Sequence, residues 1–301
     1  MEAAEALAGP TPTQSVAELR AGQPFSGRFA CVRKDRMTGR NGAPYLAVEL
    51  RDRTGSIPAR GFRDVDFLSG QFERGDLVWV TGRVERFRGE LQVELRAIRR
   101  AEDAADPRDF LPVAYRDVDE LDGFLEHLAR EVYDRDYRAL LDAFLGDDRF
   151  RAELRQAPCT RAGHHAYLGG LLEHTVAVTM LAQEACELHP RLDSDLLLSA
   201  AVLHDVGKTR EFELGAEIAP SEAGAMLGHL LLGQQLLAAR AARLGSFPAG
   251  KLLSLSHCVL SHHGSDGLPG RRFRSAEALA LYRLNAVDAA VKGALEHGLP
   301  G

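Results

Sequence analysis

Between Phe25 and Ile98, apolar and polar residues alternate in short runs broken by Gly, Asp and Asn. An alternation of period two puts one side of a strand on a core and the other in water. The runs are FSGRFACVRK (25–34), PYLAVELRD (44–52), GSIPARGFR (55–63), DLVWVTGRVERF (76–87) and ELQVELRAI (90–98), separated by the turn signals TGRNGAP, RTGS and RGE. Five short strands in about 75 residues predict a small β-barrel. An OB-fold is the leading form and an SH3-type barrel the second.

Beyond the charged, proline-containing stretch AEDAADPRDFLP (101–112) the period changes. Apolar residues recur at three- and four-residue steps through 117–145, and again near 167–187, 194–208, 221–244, 249–262 and 275–295. The predicted architecture has two domains, β then α. Residues 1–19 form a flexible tail, 20–100 the small barrel, 101–116 a linker and 117–301 an all-α domain.

Composition narrows the class. Hydrophobic residues at 45% and charged residues at 27% match a globular protein. The apolar stretch Leu196 to Leu203 is far too short for a membrane span, and MEAAEALAGPTPT has none of the basic and apolar character of a signal peptide. Cys31, Cys159, Cys186 and Cys258 are scattered, as free thiols of a reducing cytoplasm are, so a cytoplasmic location is expected. The net charge of −6 hides an asymmetry: residues 20–100 carry 17 Lys and Arg against 10 Asp and Glu, whereas 111–301 carry 19 against 26. A basic half beside an acidic one points to a polyanion partner for the barrel.

The chemistry lies in eleven histidines. His127, His189 and His297 read as surface residues. His164, His165, His174, His204, His229, His257, His262 and His263 fall within one hundred residues of the helical domain. His174 shares a helix face with Leu171, Val178 and Leu181, and His204-Asp205 ends an apolar helix without Arg or Lys before Lys208. A lone core histidine is ordinary. A buried carboxylate beside one needs a cationic partner, and a metal ion is the better explanation. Imidazole and carboxylate donors suit Mn²⁺, Fe²⁺, Co²⁺ or Zn²⁺.

The order His174, His204-Asp205 and a C-terminal acidic position resembles the HD-domain phosphohydrolases. HHAYLGGLLEHT (164–175), AAVLHDVGK (200–208), LGH (227–229), LSHHG (260–264) and AEALALYRLNAVDA (276–289), behind an OB-type domain with VRKDRMTGRNGAPYLAVELRDRTG, resemble more narrowly the YhaM-type 3′→5′ exoribonucleases over about residues 20–295. That resemblance implies a cytoplasmic, metal-dependent hydrolase of single-stranded RNA, with single-stranded DNA as an alternative substrate. It implies one or two divalent ions, Mn²⁺ first, held by His174, His204, Asp205, His229, His262, His263 and a position on the last helix. There the family's first acidic residue is replaced by Asn285, leaving Asp288 one turn on. Asp205, Lys208 and His165 are the expected catalytic residues, His165 by touching phosphate or moving a proton, or equally by orienting the metal ligands from behind.

In the barrel, Arg33, Lys34, Arg36 and Arg40 are the candidate basic contacts, and Tyr45, Phe62 and Phe87 the candidate stacking platforms for a strand. Trp79, between Val78 and Val80, is expected in the core. The competing readings are a phosphohydrolase of nucleotides or cyclic nucleotides, and an RNA-binding protein whose centre is impaired at Asn285. Nothing in the sequence sets the oligomeric state.

Overall fold

A computed structural model describes residues 15–40, 42–102, 106–264 and 272–299. The chain divides into two compact units, residues 1–112 with 214–218, and residues 113–213 with 219–301.

The first unit is a closed barrel in the order β1-β2-β3-β5-β4. Its strands are β1 (Pro24–Thr38), β2 (Pro44–Asp52), β3 (Gly55–Gly61), β4 (Leu77–Phe87) and β5 (Glu90–Arg100), with helix α1 (Val65–Ser69) between β3 and β4. The long β1 pairs with both β2 and β4, and a register shift between Cys31 and Arg33 bends it. A parallel pairing of β3 with β5 closes the barrel, which is the OB topology. Arg88 and Gly89 turn the β4–β5 hairpin with φ of 51° and 92°, as a primed two-residue turn requires. The alternation reads inward as Phe25, Phe29, Leu46, Val48, Leu50, Val78, Val80 and Val93.

Two expectations change here. Trp79 is not core: Val78 and Val80 occupy the inward positions, so the pleat turns the indole to the half-buried outer face. Residues 15–19 are not loose: Val16 and Leu19 pack on the barrel core, and Asp52 and Thr54 accept hydrogen bonds from the amides of Val16 and Ala17.

The second unit holds α2 (Val118–Arg130), α3 (Arg135–Leu145), α4 (Asp148–Gln156), α5 (Gly170–Leu188), α6 (Ser194–Leu203), α7 (Lys208–Glu211), α8 (Glu222–Arg243), α9 (Ala249–Ser261) and α10 (Ala276–His297). Two three-residue strands, β6 (Phe212–Leu214) and β7 (Ile218–Pro220), pair between α7 and α8. Aspartates 117, 134, 147 and 193 cap α2, α3, α4 and α6, each side chain accepting backbone amides. The cap at Asp134 splits the run expected to continue from 117 to 145. α5 lies against α2, α4, α6 and α10 and is buried over most of its circumference. Among the described residues no helix is long and apolar enough to cross a membrane.

Candidate metal centre and nucleic-acid face

Four segments of the helical unit deliver its histidines to one place. α5 supplies His174; the turn after α6 supplies His204 and Asp205; α8 supplies His229; and the turn after α9 supplies His262 and His263. α8 reaches the centre through a break: Gly228 has φ 68° and ψ 164°, a conformation essentially reserved for glycine. Gly207 lets α8 approach closely, since a Cβ there would stand 2.0 Å from the His229 carbonyl oxygen.

Asp205 is the hub, 2% exposed. Its Oδ2 lies 3.6 Å from His174 Nε2 and 3.3 Å from His204 Nε2, and its Oδ1 lies 3.5 Å from His229 Nε2 and 3.3 Å from His262 Nε2. His174 and His204 bring their Nε2 atoms within 3.1 Å of each other, and His229 and His263 theirs within 2.9 Å. The donors thus form two sets, one on each oxygen of a single carboxylate: His174, His204 and Asp205, and Asp205, His229, His262 and His263.

The opposite ring nitrogens fix the tautomers. His204 Nδ1 donates to the Ala201 carbonyl at 2.8 Å and His262 Nδ1 to the Val259 carbonyl at 2.6 Å. His174 Nδ1 faces Asp288 Oδ2 at 2.6 Å, and His229 Nδ1 faces Glu211 Oε1 at 3.1 Å. Each Nε2 therefore turns a lone pair toward Asp205. Both Asp205 oxygens and His262 Nε2 are buried without a hydrogen bond, although Lys208 Nζ lies 2.7 Å from Oδ2. Lone pairs converging on orphaned carboxylate oxygens repel unless a cation lies among them. Ligands at about 2.1 Å on an octahedral ion are separated by roughly 3 Å along each edge, and the spacings here match that. The residues fit divalent metal.

Burial dominates the electrostatics. It lowers His262 to about 3 and His174 and His263 to about 4, keeping these rings neutral and free to ligate. Burial pushes Asp205 up, but Lys208 and the neighbouring histidines overcome it and hold the carboxyl well below the usual range.

Several residues take unexpected positions. Lys208, expected to meet a phosphate oxygen, is buried against Asp205 and within 3.4 Å of Cys159 Sγ. His165 is 1% exposed with both ring nitrogens occupied, so the expectation that it touches substrate does not fit its placement. Asp288 accepts from His174 and His165, and the Asn285 amide donates to the His262 carbonyl at 3.4 Å. His164 sits half-buried beside Cys159, and His257 accepts the Arg274 amide outside the cluster. Sequence reasoning passed over Glu211 and Glu173. Glu173 carries the same signal as Asp205, a buried carboxylate next to a histidine on an apolar helix.

On the barrel, Met37, Tyr45, Ala47, Pro58 and Arg60 line an outer groove of about 430 Å³ together with Arg33. Arg60 lies over the rings of Tyr45 and Phe87 at 5.7 and 5.0 Å, and Tyr45 lies 5.8 Å from the half-exposed Phe62. Sequence reasoning missed Arg60 because its neighbours Pro58 and Ala59 are not basic. Lys34 departs from expectation: its Nζ donates to the Phe72 carbonyl at 2.5 Å and its side chain is 12% exposed. Arg33 and Arg36 are exposed beside Asp35 and Asp66, and Arg40 is exposed in the β1–β2 loop.

Comparison with known proteins agrees with both units. Residues 171–290 match the HD domain and residues 30–100 the OB-fold nucleic acid binding domain. The 3′-5′ exoribonuclease YhaM of Oceanobacillus iheyensis is 30% identical over 93% of this chain and 89% of its own length. The proteins of that name from Shouchella clausii and Bacillus pumilus are each 30% identical, over 94% and 87% of this chain and 89% and 84% of their own lengths. With donor sets, barrel and nearly full-length similarity in agreement, the chain belongs to the family of YhaM-type 3′→5′ exoribonucleases.

Proposed function

We propose that this protein is a divalent-metal-dependent exonuclease that shortens single-stranded RNA from its 3′ end, with Mn²⁺ as the working ion. The observation that carries the reading is the pair of donor sets on the two buried oxygens of Asp205. His174, His204 and Asp205 would hold one ion, and Asp205, His229, His262 and His263 the other. Divalent ions so held supply Lewis acidity, lowering the pKa of water and offsetting phosphate charge.

The chain's own groups do the remaining work. The imidazoles of His204, His262 and His229 are oriented by backbone carbonyls and by Glu211. Lys208, an ammonium anchored beside Asp205, offers positive charge to a phosphate oxygen. The Tyr45–Arg60–Phe87 row and exposed Arg33, Arg36 and Arg40 hold the strand by stacking and charge, which tolerates any sequence. The four free thiols support a cytoplasmic setting.

The test uses EDTA-stripped protein, 5′-labelled single-stranded RNA and the DNA of the same sequence, with Mn²⁺, Fe²⁺, Co²⁺ or Zn²⁺ restored one at a time. A ladder shortening from the 3′ end of RNA, fastest with Mn²⁺, is expected. Intact RNA alongside hydrolysis of mononucleotides or cyclic nucleotides would contradict the reading.

A further inference from the structure

The family resemblance assigns the first acidic position of α10, here Asn285, to the metal and leaves Asp288 one turn on; Asp288 makes other contacts. Asp288 Oδ2 lies 2.6 Å from His174 Nδ1 and 3.0 Å from His165 Nε2. From this arrangement, and resting on the metal-dependent reading above, we infer that Asp288 and His165 form a hydrogen-bonded pair that positions His174, with Tyr167, Glu173 and Lys292 holding the pair in place.

Hydrogen-bond bookkeeping assigns the charges. The Tyr167 hydroxyl donates to Glu173 Oε2 at 2.7 Å. Its oxygen must then accept at 2.9 Å from His165 Nδ1, which carries a hydrogen. His165 Nε2 faces the Asp288 carboxylate and carries a hydrogen too, since a lone pair there would oppose another lone pair. The ring is therefore an imidazolium between two carboxylates. A cation so deeply buried is tolerable only when paired and hydrogen-bonded. Glu173 Oε2 lies 3.7 Å from His165 Nδ1, and Lys292 Nζ balances Glu173 Oε1 at 3.2 Å and Glu296 Oε1 at 3.6 Å.

The backbone is fixed as firmly. His165 has φ 51°, a left-handed conformation that a non-glycine residue keeps only where its surroundings enforce it. Its amide donates to Glu296 Oε2 at 3.0 Å and its carbonyl accepts from the Cys159 amide at 3.0 Å. A Cβ at position 170 would meet that carbonyl oxygen at 2.2 Å, so Gly170 admits it. The product of this construction is one tautomer of His174, with its Nε2 lone pair committed to the Asp205 side. Asp288 and His165 are positioning residues.

The test is calorimetric titration of EDTA-stripped wild type, Asp288→Asn and Tyr167→Phe with Mn²⁺, followed by RNA turnover at rising Mn²⁺. Loss of a partner that orients a ligating histidine costs about 10- to 100-fold in metal affinity. Asp288→Asn is expected to bind Mn²⁺ that much more weakly with wild-type stoichiometry, and excess Mn²⁺ is expected to restore its turnover, which it would not do for a folding defect. Wild-type affinity in Asp288→Asn, or the loss of one bound ion, overturns the inference, the second outcome making Asp288 a ligand. Should that variant fail to fold, Tyr167→Phe decides: weaker binding at unchanged stoichiometry supports the inference and wild-type affinity overturns it. A wild type that binds no divalent ion overturns the metal-dependent reading itself, and the inference with it.

Discussion

Asp205 is a buried acid with more lone pairs than hydrogen-bond donors, and that imbalance was visible before any coordinates. Its place beside His204 on an apolar helix demanded a cation. The structure supplies part of the answer differently, because Lys208 turns inward to Oδ2 while Oδ1 is left to histidines. The reach of a lysine side chain across its own helix turn is not written in sequence spacing. Asn285, where the family pattern has an acid, turns its amide to the His262 carbonyl. The residue scale also yields a pH prediction. His262 at about 3, and His164, His174 and His263 at about 4, all lie below the ordinary 6.5 because of burial. As pH falls from about 6.5 toward 4, the unfolded chain takes up protons that these folded rings refuse. Stability is therefore present above 6.5 and declines through that window, opposed only in part by His165, whose shift has the other sign. Melting of EDTA-stripped protein at pH 7.5, 6.0 and 5.0 should show a falling midpoint. A flat or rising midpoint would contradict the assignment of neutral, desolvated rings.

At the scale of elements, strands and long helices were legible and the short pieces around the centre were not. Every barrel strand carries period-two alternation bounded by turn residues, and the runs sit within a few residues of β1 to β5. β6 and β7, three residues each, are too short to show a period, and four-residue α7 offers barely one turn. Yet this stretch carries Lys208 and Glu211, which flank the metal donors. The break in α8 was equally hidden, because a glycine within a leucine-rich helical pattern reads as a tolerated defect. Gly228 is what aims His229. Gly228→Ala would place a side chain in a glycine-only conformation and should cost about 1–3 kcal/mol of stability, with weakened Mn²⁺ binding. Chemical denaturation beside metal titration measures both, and a variant as stable and as metal-avid as wild type would show that the break is incidental.

For the whole molecule, the division of charge anticipated a division of labour. The basic barrel carries a face where Arg60 lies over Tyr45 and Phe87, and the acidic helical unit carries the histidine centre. Composition located the basic half but not its working residues. Lys34 and Arg60 look alike as sequence, and only the fold tells the tethered amine from the guanidinium stacked on the outer face. Tyr45→Ala should therefore weaken RNA binding by about 1–3 kcal/mol, the scale of one lost base stack. Lys34→Ala should leave RNA affinity nearly intact and lower the melting temperature. The reverse pattern in fluorescence-anisotropy binding would place the strand elsewhere on the barrel. Four arginines on phosphates, exposed Arg33, Arg36 and Arg40 with half-buried Arg60, should also give a slope of about −3 in log affinity against log salt. A slope near zero would remove charge from the account of strand binding.

The central claim joins one carboxylate to one reaction. Its most direct test follows 5′-labelled single-stranded RNA in Mn²⁺ with wild type and Asp205→Ala side by side, with strand binding measured on both. The account predicts a ladder shortening from the 3′ end for wild type. For the variant it predicts a rate lower by about a thousandfold or more, since losing the shared ligand forfeits several kcal/mol of charge stabilisation, with RNA affinity retained. An Asp205→Ala protein that still degrades the strand at the wild-type rate, or a wild type that binds RNA and leaves it whole, would contradict it.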